Sequence, residues 1–438
     1  MNRATPTALP PVIVLAAGDS SRFWPLSTHH HKAMVRLLGR PLIEYTLRSL
    51  KDAGAGEVVI VQSPKPRLGD FEYATVEDYF GSGKELGLKI RYVSQAEPNG
   101  QGEAILLASE GIRGDFLVVQ PENINAGEIV GELMRARKNG DTGVLAAHEK
   151  EETWLFGVFA LKGELMQGIV EKPPPGAAPS NLCNMWVAWL GQEYLKLLTE
   201  EPDHPYASVR ALEKLADASS VRVRKTSHDY FPLKYPWNLF AMRDFLFTGQ
   251  TKEITIEKGA AVAPTAVVQG PAYIGKGAVV DEFTMLRPGC VIEAGAVVRP
   301  YSDLFNCLIG ERTNIRRSYL NNSILGADIQ VDANLTATNQ RLDHGEITVD
   351  VKGHTISTSL TKLGTIIGQG TRVGVNVNLL PGVMVGANCH IGPNTVVSAN
   401  VKDHSHLETV PLEATTRKRV VEAVEKSSTK RPKRPRID

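Results

Sequence analysis

The stretch Leu15-Ala-Ala-Gly-Asp-Ser-Ser-Arg-Phe-Trp-Pro-Leu-Ser-Thr-His-His-His-Lys-Ala-Met34 decides the fold of the first half of this chain. A short apolar run at residues 11–15 leads into it, and a segment with the apolar spacing of a helix follows at residues 41–50. This order predicts a buried strand, then a loop of small residues, then a helix. In α/β sheets such a loop lies at the carboxyl end of its strand, where ligands bind.

The loop between this strand and this helix has the composition of a phosphate-binding loop. Gly18 allows the backbone to approach a ligand closely, and the small side chains of Ser20 and Ser21 do not block that approach. Backbone N–H groups at such a turn can bind a polyphosphate. Arg22 and Lys32 supply the positive charge that bound and transferring phosphates need.

The whole stretch resembles the signature of the sugar-1-phosphate nucleotidylyltransferases, roughly L-A-A-G-x-G-T-R-x-x-P-L-T-x-x-x-P-K-x-M. It departs from the signature at Ser20, Ser21 and His31, which replace Gly, Thr and Pro. The resemblance implies an α/β Rossmann-like nucleotidyltransferase domain in which Arg22 and Lys32 are catalytic. The residues that it implies for nucleotide binding at this loop are Leu15, Ala16, Ala17 and Gly18.

Length and composition limit the classes of function. A chain of 438 residues is too long for one ordinary core, so two domains are expected. The 49 basic and 48 acidic side chains leave a net charge of +1, which gives no reason to expect specific nucleic-acid binding.

We find no apolar run near the roughly 20 residues of a membrane helix, and we expect no secretory signal. Four cysteines without C-x-x-C spacing predict buried thiols and a cytoplasmic protein.

Residues 8–248 alternate apolar runs with segments of helical spacing, which is typical of an α/β domain. Strands are predicted at residues 12–15, 58–61, 90–93, 116–119, 143–147 and 156–161. Helices are predicted at residues 42–53, 102–110, 126–138 and 192–199. Alternation of this kind predicts a mainly parallel sheet covered by helices.

Residues 252–411 have a six-residue period that neither a helix nor a single sheet explains. An aliphatic residue recurs at every sixth position in two runs: Ile256, Val262, Val268, Ile274, Val280, Leu286, Ile292, Val298 and Leu304, then Ile367, Val373, Leu379, Val385, Ile391 and Val397. Between the runs the phase slips to Ile309 and Ile315. The pattern predicts a solenoid with three short strands per turn. It resembles the hexapeptide repeat of left-handed parallel β-helices, a class that commonly forms trimers, so a homotrimer is implied.

Two segments fall outside the repeats. The polar residues 339–361 interrupt the six-residue period and predict a loop or hairpin that projects from the coil. Residues 412–438 predict a short helix at 412–425 and a basic, proline-rich, disordered tail. Such a tail could contact nucleic acid or an acidic partner, but a solvated tail is the expectation.

A segment after the third predicted strand implies where the base binds. Gln95-Ala-Glu-Pro-Asn-Gly-Gln-Gly-Glu-Ala104 resembles the Q-x-E-x-x-G-T-x-x-A segment that reads the nucleobase in the family. The amide of Gln95 offers both a donor and an acceptor, as a pyrimidine edge requires. The resemblance implies base contacts by Gln95, Gly100 and Gln101 and favours UTP or dTTP. A surface loop that only caps a helix is the alternative.

Two later motifs imply a pocket for the sugar phosphate. Gly168-Ile-Val-Glu-Lys-Pro173 resembles the family segment that contacts this substrate, through Glu171 and Lys172. Gly157 and Asn184 match family positions that line the same pocket. An exposed salt bridge between Glu171 and Lys172 is the alternative reading of that pair.

The metal site departs most from the family pattern. The family ends a strand with Gly-Asp, and that Asp binds Mg²⁺; here the strand at 116–119 runs into Gln-Pro-Glu-Asn, and Glu122 keeps an oxygen ligand on a longer arm. Pro232 falls where the family often has a second Asp, with Asp229 and Asn238 nearby. We therefore predict Glu122 as the metal ligand and Mg²⁺ as the cofactor. A catalytically weak regulatory paralogue that binds sugar nucleotides remains an alternative.

The pairing of both domains resembles the archaeal-type bifunctional N-acetylglucosamine-1-phosphate uridyltransferases/glucosamine-1-phosphate acetyltransferases. This resemblance implies transfer of a nucleotidyl group from a nucleoside triphosphate to a sugar 1-phosphate, which releases pyrophosphate and needs no membrane or nucleic-acid partner. In that family a His in an H-x-x-Y motif is the base for acetyl transfer, whereas this chain has Arg316 before Tyr319. An always-charged Arg cannot accept a proton. The coil is therefore predicted to be an oligomerisation and regulatory platform, with an N-acetyltransferase as the alternative.

Overall fold

The chain folds into an α/β domain followed by a parallel β-helix. The computed structural model describes residues 9–64, 67–68, 71–72, 75–97, 99–201, 204–249 and 253–409. The helix expected at 412–425 and the basic tail lie outside the described residues.

The first domain contains strands, seven α-helices and short 3₁₀ turns within the described residues. The strands are β1 Val12–Ala16, β2 Arg36–Leu37, β3 Arg40–Pro41, β4 Glu57–Gln62, β5 Arg67–Leu68, β6 Phe71–Glu72, β7 Lys89–Ser94, β8 Phe116–Val119, β9 Asp141–Glu149, β10 Gly157–Lys162, β11 Leu165–Glu171, β12 Leu182–Leu190 and β13 Ser220–Lys225. The helices are α1 Leu42–Asp52, α2 Val76–Phe80, α3 Gln101–Ser109, α4 Ala126–Ala136, α5 Gln192–Thr199, α6 Ala207–Ala218 and α7 Leu239–Gly249. The 3₁₀ turns are Ser21–Phe23, Lys32–Met34, Lys84–Leu86, Thr153–Leu155 and Pro236–Asn238.

The central sheet has the order β10-β11-β13-β9-β12-β8-β1-β4-β7. Strands β8, β1, β4 and β7 are parallel neighbours, as predicted. The expectation of a mainly parallel sheet is wrong for the other half, because β12 runs antiparallel to both β8 and β9, and β11 runs antiparallel to β10 and β13. Strand β12 was not predicted, although residues 185–190 form a continuous apolar run like the one that predicted β1.

Strand β1 shows why the parallel half forms. All five of its residues are buried, since helices cover both faces of the sheet. Ile13 and Leu15 pack toward α3, α5 and α6, whereas Val12, Val14 and Ala16 pack toward α1 and α4. A strand that is buried on both faces reads as a continuous apolar run. This core fixes the end of β1 and the loop that follows it.

The second domain is a left-handed β-helix with three faces. Ile256 pairs with Ile274, and Ile274 pairs with Ile292, so one turn advances the chain by three hexads. The strands of the first face are Ile254–Ile256, Ala272–Ile274, Cys290–Ile292, Leu308–Ile309, Ile324–Leu325, Ile366–Ile367 and Met384–Val385. Those of the second are Ala261–Val262, Val279–Val280, Val297–Val298, Asn314–Ile315, Gln330–Val331, Arg372–Val373, His390–Ile391 and His406–Leu407. Those of the third are Val267–Val268, Met285–Leu286, Asp303–Phe305, Tyr319–Asn321, Thr336–Ala337, Asn378–Leu379 and Val396–Val397.

The repeat residues point into the coil, as the period predicts. Ile274, Leu286 and Ile292 are fully buried in one continuous core. Ile256 departs from the pattern and is 53% exposed. It lies in the first turn, where no described turn packs beneath it.

The interrupting segment forms a hairpin, one of the two structures predicted for it. Its strands are Thr348–Val351 and His354–Ser357. The side chains of Ile347, Val349 and Val351 are buried against the first domain and the coil. The hairpin is therefore fixed to the body of the protein.

An apolar cluster joins the two domains, and we call it the interdomain cluster. Its members include Phe23, Leu26, Leu37, Leu42, Trp237 and Met242 of the first domain, Tyr273, Val291, Leu308, Ile324, Ile366 and Met384 of the coil, and Ile347, Val349 and Val351 of the hairpin. Polar contacts surround it, among them the ion pair between Arg36 Nε and Glu311 Oε2 at 3.2 Å. The coil therefore packs directly against the domain that carries the phosphate loop.

The cysteines and the lengths of the helices also bear on the sequence predictions. All four cysteines are buried and free, as predicted. Among the described helices, none is both long and apolar enough to cross a membrane.

Ile292→Ala is expected to lower the free energy of unfolding by about 2–5 kcal/mol, because it empties a fully buried position. Ile256→Ala removes the same side chain at the same repeat position, but the exposed site should cost only about 0.5 kcal/mol or less. Chemical denaturation followed by circular dichroism measures both variants. Equal losses would contradict the inward packing of the repeat.

Candidate active site

The loop after β1 forms one wall of a cleft at the carboxyl edge of the parallel strands. The cleft has a volume of about 310 Å³ and is lined by residues that include Ala16, Ala17, Gly18, Asp19, Ser20, His30, Gln62 and Gln95. Leu15, Ala16 and Ala17 are buried. A Cβ atom at Gly18 would meet nothing within 4 Å, so the space in front of this residue is open to a ligand.

Hydrogen bonds within the loop fix its shape. The Asp19 carboxylate accepts from the Ser21 amide at 2.8 Å and from the Ser21 hydroxyl at 2.5 Å. The Lys32 amide donates to Ser20 Oγ at 3.1 Å. His31, in place of the family's proline, accepts a hydrogen bond from the Ala33 amide, and burial lowers the pKa of this histidine to about 3. The His31 side chain thus restrains the turn that a proline would have stiffened.

Lys32 and Glu122, two predicted site residues, form an ion pair. The Lys32 ammonium donates to Glu122 Oε1 at 2.6 Å and to the Leu233 carbonyl at 3.0 Å. Glu122 Oε2 is buried and has no hydrogen-bond partner among the residues that the structure describes. A buried carboxylate oxygen without a partner costs free energy. A cation or a hydrogen-bond donor at this atom would remove that cost.

Lys234 is a functional candidate that the sequence analysis missed. Its ammonium lies 3.5 Å from the centre of the Phe156 ring and donates to the Leu155 carbonyl. Burial and the nearby Arg22 and Lys172 cations lower the pKa of Lys234 to about 7. The signal that could have found it is the segment around Pro232, where a lysine sits between apolar residues.

The four cations Arg22, Lys32, Lys172 and Lys234 are called the cation cluster below. Lys32 contacts the backbone of Leu233, next to Lys234, and the field of Arg22 and Lys172 acts on Lys234. Arg22 is exposed and forms no hydrogen bond or ion pair with the described part of the chain. Concentrated positive charge in which two cations, Arg22 and Lys234, have no carboxylate partner among the described residues attracts an anion.

The residues predicted for the sugar phosphate lie on β10, β11 and β12. Gly157 pairs with Glu171 across β10 and β11, and a Cβ atom at Gly157 would lie 2.8 Å from Glu171 Oε2. The Lys172 ammonium is 3.6 Å from Glu171 Oε1. Asn184 is buried; its Oδ1 accepts from the Trp186 amide, and its Nδ2 has no partner among the described residues. The structure brings Glu171 and Lys172 to the cation cluster.

The residues predicted for the base are held by their own helix. Gln95 lines the cleft, and its amide nitrogen donates to the Gly100 carbonyl at 3.1 Å and to Glu103 Oε2 at 2.6 Å. Gly100 has a φ of 111°, and a Cβ atom there would lie 2.9 Å from Pro205 Cα, so glycine is required. Gln101 is the first residue of α3. These bonds tie Gln95, at the cleft wall, to the first turn of α3.

The donors near Glu122 fit a divalent metal only in part. Across the described ranges, no group of three or more His, Cys, Asp or Glu side chains is arranged to hold a metal ion. Asp229 is exposed, and Asn238 Oδ1 already accepts from the Lys234 and Tyr235 amides. The protein therefore offers the unpartnered Oε2 of Glu122, which fits a Mg²⁺ ion whose other ligands are substrate phosphates and water.

Arg316 and Tyr319 hold the positions of the H-x-x-Y motif in the coil, and Arg316 already has a partner. Arg316 forms an ion pair with Asp332 at 3.3 Å. Tyr319 is 44% exposed, and Asn339 donates to the Asn322 side chain at 2.7 Å. The Arg316 side chain carries no group that could accept a proton.

Comparison with known proteins gives matches on both halves of the chain. Residues 11–229 match the Nucleotidyl transferase family, and residues 364–399 match the bacterial transferase hexapeptide family with its six repeats. A bifunctional protein GlmU from Methanococcus vannielii is 26% identical over 394 residues, which cover 85% of this chain and 91% of that protein. A bifunctional sugar-1-phosphate nucleotidylyltransferase/acetyltransferase from Sulfurisphaera tokodaii is 28% identical over 395 residues, which cover 84% and 92%. Among solved structures, a UDP-glucose pyrophosphorylase from Acinetobacter baumannii is 22% identical with a TM-score of 0.45, covering 56% of this chain and 95% of that one.

The Lys234 ammonium is expected to titrate near neutral pH, well below an ordinary lysine at about 10.4. Lys172→Met removes a neighbouring cation and should raise the pKa of Lys234. Lys214→Met is the matched control, because Lys214 lies on α6 and pairs with Glu201. NMR of ¹³C-methylated lysines measures each titration. A Lys234 that titrates with the other lysines would show that the cation cluster is not assembled.

Proposed function

Because this chain belongs to the nucleotidyl transferase family, we propose that its first domain joins a nucleoside triphosphate and a sugar 1-phosphate into a nucleoside diphosphate sugar. An oxygen of the sugar 1-phosphate attacks the α-phosphorus of the triphosphate, and pyrophosphate leaves with its bridging oxygen. The reaction asks the protein to align two anions and to stabilise the charge that spreads in the transition state. The names of the matched relatives support the substrate class.

The observation that carries the proposal is the link between the phosphate loop and the cation cluster, because the loop itself supplies Arg22 and Lys32 and the field of Arg22 reaches Lys234. Arg22 is free to contact the phosphates that react. Lys32 reaches the same region from the far end of the loop, where it now contacts Glu122. A phosphate bound beside Lys234 would favour its charged form, since an anion opposes the effects of burial and of the two neighbouring cations that lower its pKa.

Two groups of residues, one in the cleft and one at the cation cluster, support an order for the substrates. Gln95, with Gly100 behind it, lies at the side of the phosphate loop, which suits the base of UTP or dTTP. Glu171 and Lys172 lie at the side of Lys234, which suits the sugar hydroxyls and the phosphate of the second substrate. The α-phosphorus would lie between them, next to Arg22.

Nucleotidyl transferases generally use a divalent metal, and we propose Mg²⁺ for this chain. Glu122 would hold it through Oε2, the oxygen that lacks a partner among the described residues. When bound, the ion would offset negative charge on the triphosphate. Lys32 would then be released from Glu122 to the phosphates.

Arg22→Ala should lower kcat/KM. The loss should correspond to about 2–4 kcal/mol of transition-state stabilisation, the scale of one lost electrostatic donor. Arg224→Ala, an exposed arginine on β13, is the control and should leave activity unchanged. Pyrophosphate release is measured with a panel of sugar 1-phosphates, each tried with UTP, dTTP, GTP and CTP in the presence of Mg²⁺ or Mn²⁺. Turnover without Arg22 would contradict the loop's role, and nucleotide binding without turnover in any pair would favour a regulatory protein.

For the coil we propose a homotrimer contact surface without acetyltransferase activity. Apolar side chains are exposed on its outside, including Val267, Phe283, Tyr301 and Val396. The Phe283 and Tyr301 rings stack on neighbouring turns with centroids 5.3 Å apart. A second copy that covers such a patch buries apolar surface, and homo-oligomers with closed symmetry are the usual result.

Light scattering is expected to report about three chains, the number implied by the β-helix class. Thiol release from acetyl-CoA with glucosamine 1-phosphate should stay at background, because Arg316 supplies no base. A monomer would contradict the contact surface. Clear release of CoA would show that another group handles the proton and that the coil is a second enzyme.

A further inference from the structure

The hairpin of the coil touches the phosphate loop of the first domain. The Lys352 ammonium at the hairpin tip lies 3.2 Å from Asp19 Oδ2. Asp19 lines the cleft, so this ammonium contacts a residue of the cleft wall. A residue more than 300 positions away in the sequence thus adds a cation to the loop.

The hairpin is held in a way that keeps its tip in place. Val349 and Val351 are buried in the interdomain cluster. The Asn400 side chain, from the last turns of the coil, donates to the Asp350 carbonyl at 2.9 Å. Lys352 therefore approaches the loop from a fixed support.

The backbone conformation at the hairpin tip is one that lysine disfavours. The two residues of the turn, Lys352 and Gly353, have φ values of 56° and 79°. A two-residue hairpin turn with positive φ at both positions prefers Asn-Gly or Asp-Gly, since most side chains disfavour this region. Lysine at this position is therefore not explained by the backbone of the turn.

Asp19 occupies a position in the loop that suits an anion. Its carboxylate accepts from the amide and the hydroxyl of Ser21, which are donors that a phosphate-binding loop would offer to its ligand. Partial burial opposes ionisation of Asp19, but the hydrogen bonds from Ser21 and the Lys352 ammonium outweigh it and lower its pKa. In the free protein the Asp19 carboxylate therefore accepts the Ser21 hydrogen bonds in the phosphate loop.

We propose that Lys352 binds the triphosphate of the nucleotide, and that a phosphate oxygen replaces the Asp19 carboxylate as its partner. This assignment rests on the proposed function of the first domain. Both side chains are about half exposed, 52% for Lys352 and 59% for Asp19, and exposed ion pairs contribute little to stability. The exchange of partners is therefore easy, and the coil becomes part of the nucleotide site.

The test measures the affinity of the full chain for inorganic tripolyphosphate by calorimetry, because every nucleoside triphosphate carries this group. Lys352→Asn should weaken binding about fivefold, the effect of one charge at contact distance in surroundings close to water. Asn suits the turn, so this variant should melt no lower than the wild type. Lys352→Arg keeps the charge and should keep the affinity of the wild type. Lys276→Asn, at an exposed corner of the coil, is the matched control with the same loss of charge and should also bind like the wild type.

Asp19→Asn separates a binding role from a structural one. If Lys352 binds phosphate, this variant removes a competing carboxylate and should tighten tripolyphosphate binding. If Lys352 only holds the loop through Asp19, both variants break the same contact and should weaken binding alike, which would overturn the proposal. Unchanged binding in Lys352→Asn would also overturn it.

Turnover distinguishes this proposal from the proposed function. A wild type that releases pyrophosphate while Lys352→Asn keeps full affinity would refute the role of Lys352 alone. A wild type without turnover, in which Lys352→Asn still loses affinity, would refute the reaction and support the binding site.

Discussion

Apolar packing between the two domains is the interaction on which the site depends. Phe23 and Leu26 belong to the phosphate loop itself, and both are buried in the interdomain cluster with residues of the coil and its hairpin. Each buried side chain of this kind contributes about 1.5–3 kcal/mol. Polar contacts extend the interface along the same loop, since Trp24 Nε1 donates to Asp403 at 2.9 Å. The loop is thus supported by its strand on one side and by the coil on the other.

Three cations around the cleft are each paired with a carboxylate of the protein. Lys32 contacts Glu122, Lys172 contacts Glu171, and Lys352 contacts Asp19. Desolvation of a cation costs free energy unless it is paired, and Lys234, pressed between cations, shows this cost as a lowered pKa. The triphosphate and the phosphate of the sugar substrate would together serve as partners for these cations. The free protein thereby carries a charge arrangement that suits a polyanion.

The sequence allowed the domain order, the first strands and the coil to be predicted, because a phosphate-loop motif and a six-residue period are local patterns. It did not allow β12 to be predicted as an antiparallel strand, since an apolar run does not show in which direction a buried strand runs. Arg22, Lys32 and Glu122 were predicted as site residues from their motifs. Lys352 was missed because its contact with Asp19 joins distant segments of the chain. Lys234 was missed although it stands between apolar residues, because only the fold shows that it is buried near other cations. The pairing of Glu122 with Lys32 likewise emerged only from the fold.

Amide hydrogen exchange of the full chain, with and without UTP and Mg²⁺, tests most directly whether the coil belongs to the nucleotide site. Exchange slows where binding suppresses local opening. We expect the nucleotide to slow exchange both in residues 17–34 and in the hairpin at residues 348–357. Slower exchange in residues 17–34 with an unchanged hairpin would contradict it.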